Sequence, residues 1–177
     1  NLIGDGQAVV ENINTDTRKS VSNSLFFALK GEHFDAHQYL DKAVEQGATA
    51  LVMQQASTEI ATPQLVVADT RLALGQLAKW LREKINPRTV AMTGSSGKTT
   101  VKEMTASILQ QTAGNPEAVL FTNGNFNNDI GVPLTLLRLT EQHKFAVIEL
   151  GANHQGEIDY STHLAHPEAA LVNNVAA

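Results

Sequence analysis

Between Ala91 and Thr100 the chain reads AMTGSSGKTT. Gly94, Ser95, Ser96 and Gly97 let successive backbone amides converge on phosphate oxygens. A helix starting at Lys98 adds the partial positive charge of its N-terminus. In such a cradle Lys98 neutralises the outer phosphates, the Thr99 hydroxyl holds Mg²⁺ and Thr100 belongs to the same turn. Taken alone, GSSG also reads as a linker or a chance turn. A linker, however, joins two finished units, whereas this run lies between an apolar strand and an amphipathic helix. The cradle is shorter than the common pattern: Met92 stands where the first glycine is expected, and the first glycine is Gly94.

Two further groups are placed to serve a bound phosphate. Glu149 ends the apolar run FAVIE. Ligands of open parallel sheets bind outside the carboxyl ends of the strands. A carboxylate there completes a Mg²⁺ shell opposite Thr99, because Mg²⁺ takes one or two carboxylates alongside phosphates and water. On position alone, a surface glutamate at a strand end is an equal reading. In TNGNFNNDIGVP, residues Asn125, Asn127 and Asn128 crowd one loop. Asn and Gly are ordinary turn formers. Asn amides also both donate and accept, which suits a polar sugar or peptide.

The elements that must position these groups are legible as periodicity. FDAHQYLDKAVEQGA reads as a helix with Tyr39, Leu40, Ala43 and Val44 on one face and Gly47 as its stop. TALVMQQ and PQLVVAD read as buried strands, and LFFAL as an earlier one. TRLALGQLAKWLREKI reads as a helix capped by Thr70, with Leu74, Leu77, Ala78, Leu81 and Ile85 as its stripe. Pro87 ends it and directs Asn86 toward extended geometry. From there strand and helix alternate. The cradle helix over KTTVKEMTASILQQ has an expected inner face of Val101, Met104, Ile108 and Leu109. VPLTLLRL and GEIDYSTHLA read as helices, AVLFT, FAVIEL and EAALVNN as strands. Such alternation implies a parallel sheet with helices on its faces. The boundary near residues 85–88 divides domains 1–85 and 86–177.

Composition narrows the function. A length of 177 residues with 42% hydrophobic and 18% charged residues supports packed cores, in one domain or two small ones. A formal net charge of -5 argues against nucleic acid as the main partner. No run reaches the ~18 apolar residues of a membrane span. With no cysteine, disulfides, thiolate zinc sites and cysteine nucleophiles are excluded. The N-terminus lacks a signal pattern, and a cytoplasmic location is the default expectation. Asn1 rather than Met implies that the natural chain begins earlier. His163 and His166 sit three apart at a helix end before Pro167, which permits metal binding but also fits a solvated helix terminus; His143 reads as loop surface.

TDTRK, LFFALKGEHFDAH, AMTGSSGKTTVKEM, GNFNNDIGVPLTLLRL, VIELGANHQGEI and PEAALVNN, in this order, resemble the Mur ligases of bacterial cell-wall synthesis. The short cradle is itself a trait of that family. TGSSGKT and ELGANHQGEI point to the branch that joins D-alanyl-D-alanine to UDP-N-acetylmuramoyl-tripeptide, using ATP and Mg²⁺. The branch that adds the third amino acid is the nearest alternative. A P-loop switch without ligase chemistry, a folate-type ligase and a carbohydrate-binding domain are further readings.

The resemblance implies a small N-terminal α/β domain binding the UDP end of the substrate. The first half of a P-loop parallel-sheet ATPase domain follows, in an enzyme that works as a cytoplasmic monomer. It implies that the chain stops partway through the ATPase domain and is inactive by itself. It implies amide formation through an acyl phosphate, with Gly94 to Thr100 on ATP, Lys98 and Glu149 catalytic, and Thr99 and Glu149 on the metal. Asn125, Asn127, Asn128, Asn153 and His154 are implied near the muramyl-peptide. Thr17, Arg18 and the turn Lys30, Gly31, Glu32, His33, Phe34 and Asp35 are implied at the UDP site, Phe34 against the uracil and Thr17 at a diphosphate oxygen. The plainer readings there are Phe34 as a core residue and Asp35 with Arg18 as a structural ion pair.

Overall fold

The computed structural model describes residues 1–31 and 34–176. The implied substrate residues Glu32 and His33 therefore lie outside the described residues. The chain divides into two compact units, Asn1–Ala73 and Leu74–Ala177.

The first unit is a five-stranded sheet. In chain order its strands are β1 (Leu2–Ile3), β2 (Asn12–Asn14), β3 (Ser24–Phe27), β4 (Ala50–Met53) and β5 (Gln64–Val66), in the spatial order β1-β5-β4-β3-β2. β2 to β5 are parallel, and β1 closes one edge antiparallel to β5. β1, two residues long, is too short to show as a run in the sequence, and β2, Asn-Ile-Asn, is short and mostly polar. The helix expected between β3 and β4 opens as a 3-10 turn, Ala36–Tyr39, and becomes α1 only over Leu40–Glu45. Asp35 caps the turn by accepting from the His37 amide at 3.0 Å. Leu40 and Ala43 join Val21, Phe26, Leu51 and Met53 in the core, with Val44 packed against it.

Helix α2 spans Thr70–Ile85, the bounds its periodicity gives. Its cap is not Thr70. Asp69 accepts from the amides of Arg71 and Leu72 at 2.8 and 2.9 Å, while the buried Thr70 hydroxyl donates to Ala28 O at 2.9 Å. Asp fits because its carboxylate reaches N–H groups that a helix leaves unpaired. At the other end Asn86 has φ 50, left-handed rather than extended. Asn tolerates that region, and a left-handed residue ends a helix as effectively as the following proline. The expected boundary at 85–88 marks the end of α2, and the compact units divide inside this helix.

From Leu74 onward the helix packs in the second unit. There β6 (Arg88–Thr93), β7 (Val119–Phe121), β8 (Phe145–Glu149) and β9 (Ala169–Val172) form a fully parallel sheet in the order β7-β8-β6-β9. The strand period of two sorts its side chains between two cores. Ala91, Leu120, Ala146 and Ile148 face Ala78 of α2, Val132 and Leu136 of α4 (Gly131–Leu136) and Leu164 of α5 (Glu157–Ala165). Met92, Val119 and Val147 face Ala106 of α3 (Lys98–Ala113).

The expected inner face of α3 is only half right. Val101 and Leu109 pack against the sheet, but Met104 and Ile108 are 61% and 62% exposed. The buried line runs through Lys102 and Ala106 instead, because spacing fixes which residues share a face but not which face meets the sheet. Among the described residues no helix is long and apolar enough to cross a membrane.

Candidate nucleotide and substrate sites

β6 delivers the chain to Gly94 and α3 carries it away from Lys98, so the cradle sits at the carboxyl edge of the second sheet. Gly97 has φ 75, and a Cβ there would meet Asn173 Nδ2 at 2.7 Å; glycine satisfies both constraints. Lys98 folds over the loop and donates from Nζ to Gly94 O at 2.6 Å. No side chain caps α3, which leaves its first-turn amides directed toward the loop.

The loop is braced by the segment after β9. Ser95 N donates to Asn174 O at 3.1 Å. Ser96 N donates to Asn174 Oδ1 at 2.9 Å, and Asn174 Nδ2 donates back to Ser96 Oγ at 2.8 Å. Asn173 Nδ2 donates to Ser96 O at 2.7 Å. Two amides expected for phosphate, those of Ser95 and Ser96, are thus engaged by Asn174. The sequence reading gave Asn173 and Asn174 no role. The signal was there: two polar residues follow an apolar strand at the sheet edge that carries the cradle.

The structure brings Thr99 and Glu149 together. The register pairs Met92 with Glu149 across β6 and β8, and Thr99 Oγ1 donates to Glu149 Oε2 at 3.0 Å. The carboxylate is 2% exposed and also accepts from Asn127 Nδ2 at 2.8 Å. Its own amide donates to Thr122 Oγ1 at 3.0 Å. Hydroxyl and carboxylate oxygens side by side are hard donors of the kind Mg²⁺ takes, with most of its shell left to phosphate and water. Among the described residues no three Cys, His, Asp or Glu side chains form a metal-sized group, His163 and His166 included. His163 Nδ1 lies 2.8 Å from Asp159 O.

The Asn loop has divided tasks. Asn127 bonds Glu149, and its carbonyl accepts from Gly151 N at 2.7 Å. Asn128 Oδ1 accepts from Gly131 N at 2.7 Å and so starts α4. Asn125 is exposed. Asn153 and His154 are exposed, and their amides donate to Glu157 Oε2 at 2.6 and 3.2 Å. Glu157, unremarked in the sequence, thereby sets the turn that presents them.

In the first unit a cavity of about 390 Å³ opens beyond the carboxyl ends of β3 and β4, lined by Lys30, Asp35, His37, Gln54 and Ser57 among others. Gln54 N–H donates to His37 Nε2 at 3.0 Å, so the ring carries its proton on Nδ1, 2.6 Å from Asp35 Oδ1. The His37 amide, then its ring, holds the Asp35 carboxyl below its usual range. Lys30 lies 3.8 Å from Asp35, and Gly31 N donates to Phe34 O at 2.8 Å.

Phe34 is not a core residue: it is 55% exposed and stacks on Tyr39 at 5.6 Å. Arg18 does not pair with Asp35. It forks onto Asp16, with Nη2 at 2.8 Å from Oδ2, and lowers the Asp16 pKa to about 2. Thr17 is buried beside it. Thr17, Arg18 and Phe34 stand outside the cavity lining.

Fold and loop together define an α/β protein with a P-loop-like strand–loop–helix in one unit and a second α/β unit. The family model described as Mur ligase family, catalytic domain, matches residues 9–82, and that of the Mur ligase middle domain matches residues 92–177. The chain belongs to the Mur ligase family.

It is 81% identical, over 99% of its length, to the UDP-N-acetylmuramoyl-tripeptide–D-alanyl-D-alanine ligase of Haemophilus influenzae, of which it covers 38%. It is 60% identical over 93% of its length to the Escherichia coli ligase of the same name, covering 35% of it. Among solved structures, MurF from Acinetobacter baumannii matches with TM-score 0.85 and 49% identity, over 91% of this chain and 35% of that one. MurF ligase from Thermotoga maritima in complex with ADP matches with TM-score 0.82 and 27% identity, over 96% and 39%. The chain thus spans a little over a third of the length of these relatives.

Proposed function

We propose that this chain is the nucleotide- and UDP-substrate-binding part of an ATP-dependent amide ligase. The ligase adds D-alanyl-D-alanine to UDP-N-acetylmuramoyl-tripeptide in peptidoglycan precursor synthesis in the cytoplasm. The observation that carries this is the Thr99–Glu149 pair, 3.0 Å apart beneath a GSSGKT loop. Residues 86–177 take the nucleotide and the reacting carboxylate, and residues 1–85 take the UDP end. The relatives' names support the choice of substrates.

In this reading the Gly97 amide and the first-turn amides of α3 hold the β- and γ-phosphates, in a loop whose Ser95 and Ser96 amides are held by Asn174. Lys98 leaves Gly94 O and follows the charge that develops on the transferring phosphoryl group. Thr99 and Glu149 would hold Mg²⁺, which would supply shielding between the phosphate and the incoming carboxylate. Asn127 keeps the Glu149 carboxylate oriented, and Asn125, Asn128, Asn153 and His154 border the muramyl-peptide. The γ-phosphate passes to the peptide's terminal carboxylate with release of ADP. The amine of D-alanyl-D-alanine then attacks the acyl phosphate, forming the amide and releasing phosphate. Lys30 and Asp35 in the first-unit cavity, with Thr17, Arg18 and Phe34 nearby in sequence, receive the UDP end. The chain, a little over a third as long as these relatives, is expected to bind without turning over.

The test is a Lys98→Ala substitution in the ligase-length protein. Loss of phosphate release with retained binding of UDP-N-acetylmuramoyl-tripeptide is expected. Undiminished phosphate release sinks the reading. Calorimetric titration of the 177-residue chain, with UDP-glucose as control, is expected to show selective heat for the muramyl-peptide.

A further inference from the structure

One buried cation has no part in the chemistry above. Lys102 lies one helical turn beyond Lys98 and has no exposed surface. Lysines are almost never fully buried unless paired, since an unpaired buried ammonium costs several kcal/mol. A Leu or Met at this position would fill the space without that cost, so the ammonium itself calls for an explanation. Its Nζ donates to Thr122 O at 2.6 Å. It also lies 2.8 Å from Glu103 Oε1 and 5.8 Å from the Phe121 ring centre.

The partner that matters is Thr122, also fully buried, just past the end of β7. Its amide donates to Val147 O at 3.1 Å. Its hydroxyl accepts the Glu149 amide at 3.0 Å, and the Glu149 carboxylate accepts from Thr99 at 3.0 Å. Thr99 and Lys102 are three apart on α3 and share a side of it. The contacts close a ring: Lys102 to Thr122, Thr122 to Glu149, Glu149 to Thr99, and Thr99 back along the helix to Lys102. Helix α3 therefore meets the strand ends at two linked points, and neither can shift without the other.

We propose that Lys102 and Thr122 are positioning residues for the phosphoryl-transfer step, locking the Glu149 carboxylate against Thr99 so that both oxygens are set for a divalent cation before it arrives. This rests on the reading of Thr99 and Glu149 as the Mg²⁺ pair. Outer partners that orient a metal ligand typically control affinity by about 10–100-fold.

The test uses Lys102→Met, Thr122→Val, Thr122→Ser and the double variant Lys102→Met/Thr122→Val in the ligase-length protein. Two quantities are read: the Mg²⁺ dependence of ATP binding by calorimetry, and exchange of the Glu149 amide hydrogen in metal-free protein. Lys102→Met and Thr122→Val are each expected to weaken the Mg²⁺ dependence about 10-fold and to speed Glu149 exchange. Thr122→Ser is expected to restore both, and UDP-substrate affinity to stay within about twofold. The double variant is expected to be no worse than the larger single one, because both cut the same ring. Unchanged Mg²⁺ dependence in folded variants, additive losses, or equal loss of UDP-substrate binding overturns the proposal. If Lys102→Met fails to fold, the Thr122→Val and Thr122→Ser contrast decides. Glu149→Gln runs in parallel: if it too leaves the Mg²⁺ dependence unchanged, the metal reading itself falls. If it weakens that dependence while Lys102 and Thr122 variants do nothing, only the positioning role falls.

Discussion

Replacing Glu149 by Gln separates the charge of the proposed metal ligand from its shape. The carboxylate holds two donors, Thr99 Oγ1 at 3.0 Å and Asn127 Nδ2 at 2.8 Å. A Gln amide keeps its oxygen toward Asn127 and turns its NH₂ toward Thr99, whose hydroxyl rotates to accept. No buried polar atom is orphaned. Two charge-assisted hydrogen bonds become neutral ones, a loss of about 1 kcal/mol each. Against this, a nearly buried charge is no longer held out of water, which returns a similar amount. Fold stability should therefore change by only about 1 kcal/mol in either direction, a few degrees in Tm. The cation, by contrast, loses a direct negative ligand, which costs at least the ~10-fold that outer partners cost. The assays are a thermal melt and a Mg²⁺ titration of ATP binding on the same preparation. A melt within a few degrees and a Mg²⁺ midpoint at least about 10-fold higher is expected. A folded variant with an unmoved midpoint refutes the reasoning, and so does unfolding, since then the charge served the fold.

Four more expectations concern the scaffold. Buried Arg82 donates to Ala165 O and His166 O, both at 2.8 Å, so Arg82→Met should cost about 3 kcal/mol or more in a urea melt; a loss under ~1 kcal/mol counts against it. A Cβ at Gly131 would lie 2.5 Å from the Phe126 carbonyl carbon, so Gly131→Ala should lower Tm by several degrees and loosen the Asn loop; an unchanged melt means the loop yields freely. Asn174→Ala removes both side-chain bonds to Ser96 but not the backbone bond to Ser95. Exchange of the Ser96 amide should quicken about 5-fold or more while Ser95 stays nearly constant, and parallel change at both would rule out a side-chain brace. The Asp16 carboxyl, hydrogen-bonded by the Arg18 side chain, is lowered from 3.8 to about 2. Its folded-state pKa lies below the unfolded one, so its contribution is whole above about pH 4 and is lost as pH falls through about 2. An NMR titration midpoint near 3.8 for Asp16 would exclude the fork in solution.

The helix from Thr70 to Ile85 and the strand–loop–helix around the cradle were readable because both signals are local. The stripe Leu74, Ala78, Leu81 and Ile85 repeats within one helix, and GSSGKTT is contiguous. Local signals also misled. Asp69 rather than Thr70 caps α2, and Asn86 takes a left-handed turn, because several residues at a helix end can each satisfy its requirements. Met104 and Ile108 have the right spacing for a core face, yet Lys102 and Ala106 face the sheet. Spacing carries no information about which side of α3 the sheet lies on; that is set by where β7 and β8 pass beneath it.

By itself the sequence determined the strand and helix alternation of the second unit, its parallel sheet, the glycine-serine loop between strand and helix and the carboxylate at a strand end, each the product of short-range spacing and backbone preference. The tertiary structure decided which distant groups meet. The β6–β8 register places Glu149 against Thr99, 50 residues away in the chain. The turn after β9 carries Asn174 back to Ser96 across 78 residues. A buried ammonium on α3 finds the Thr122 carbonyl because β7 ends there. Strand order and register are properties of the whole packed sheet, fixed by burying two cores at once, and no window of the sequence contains them.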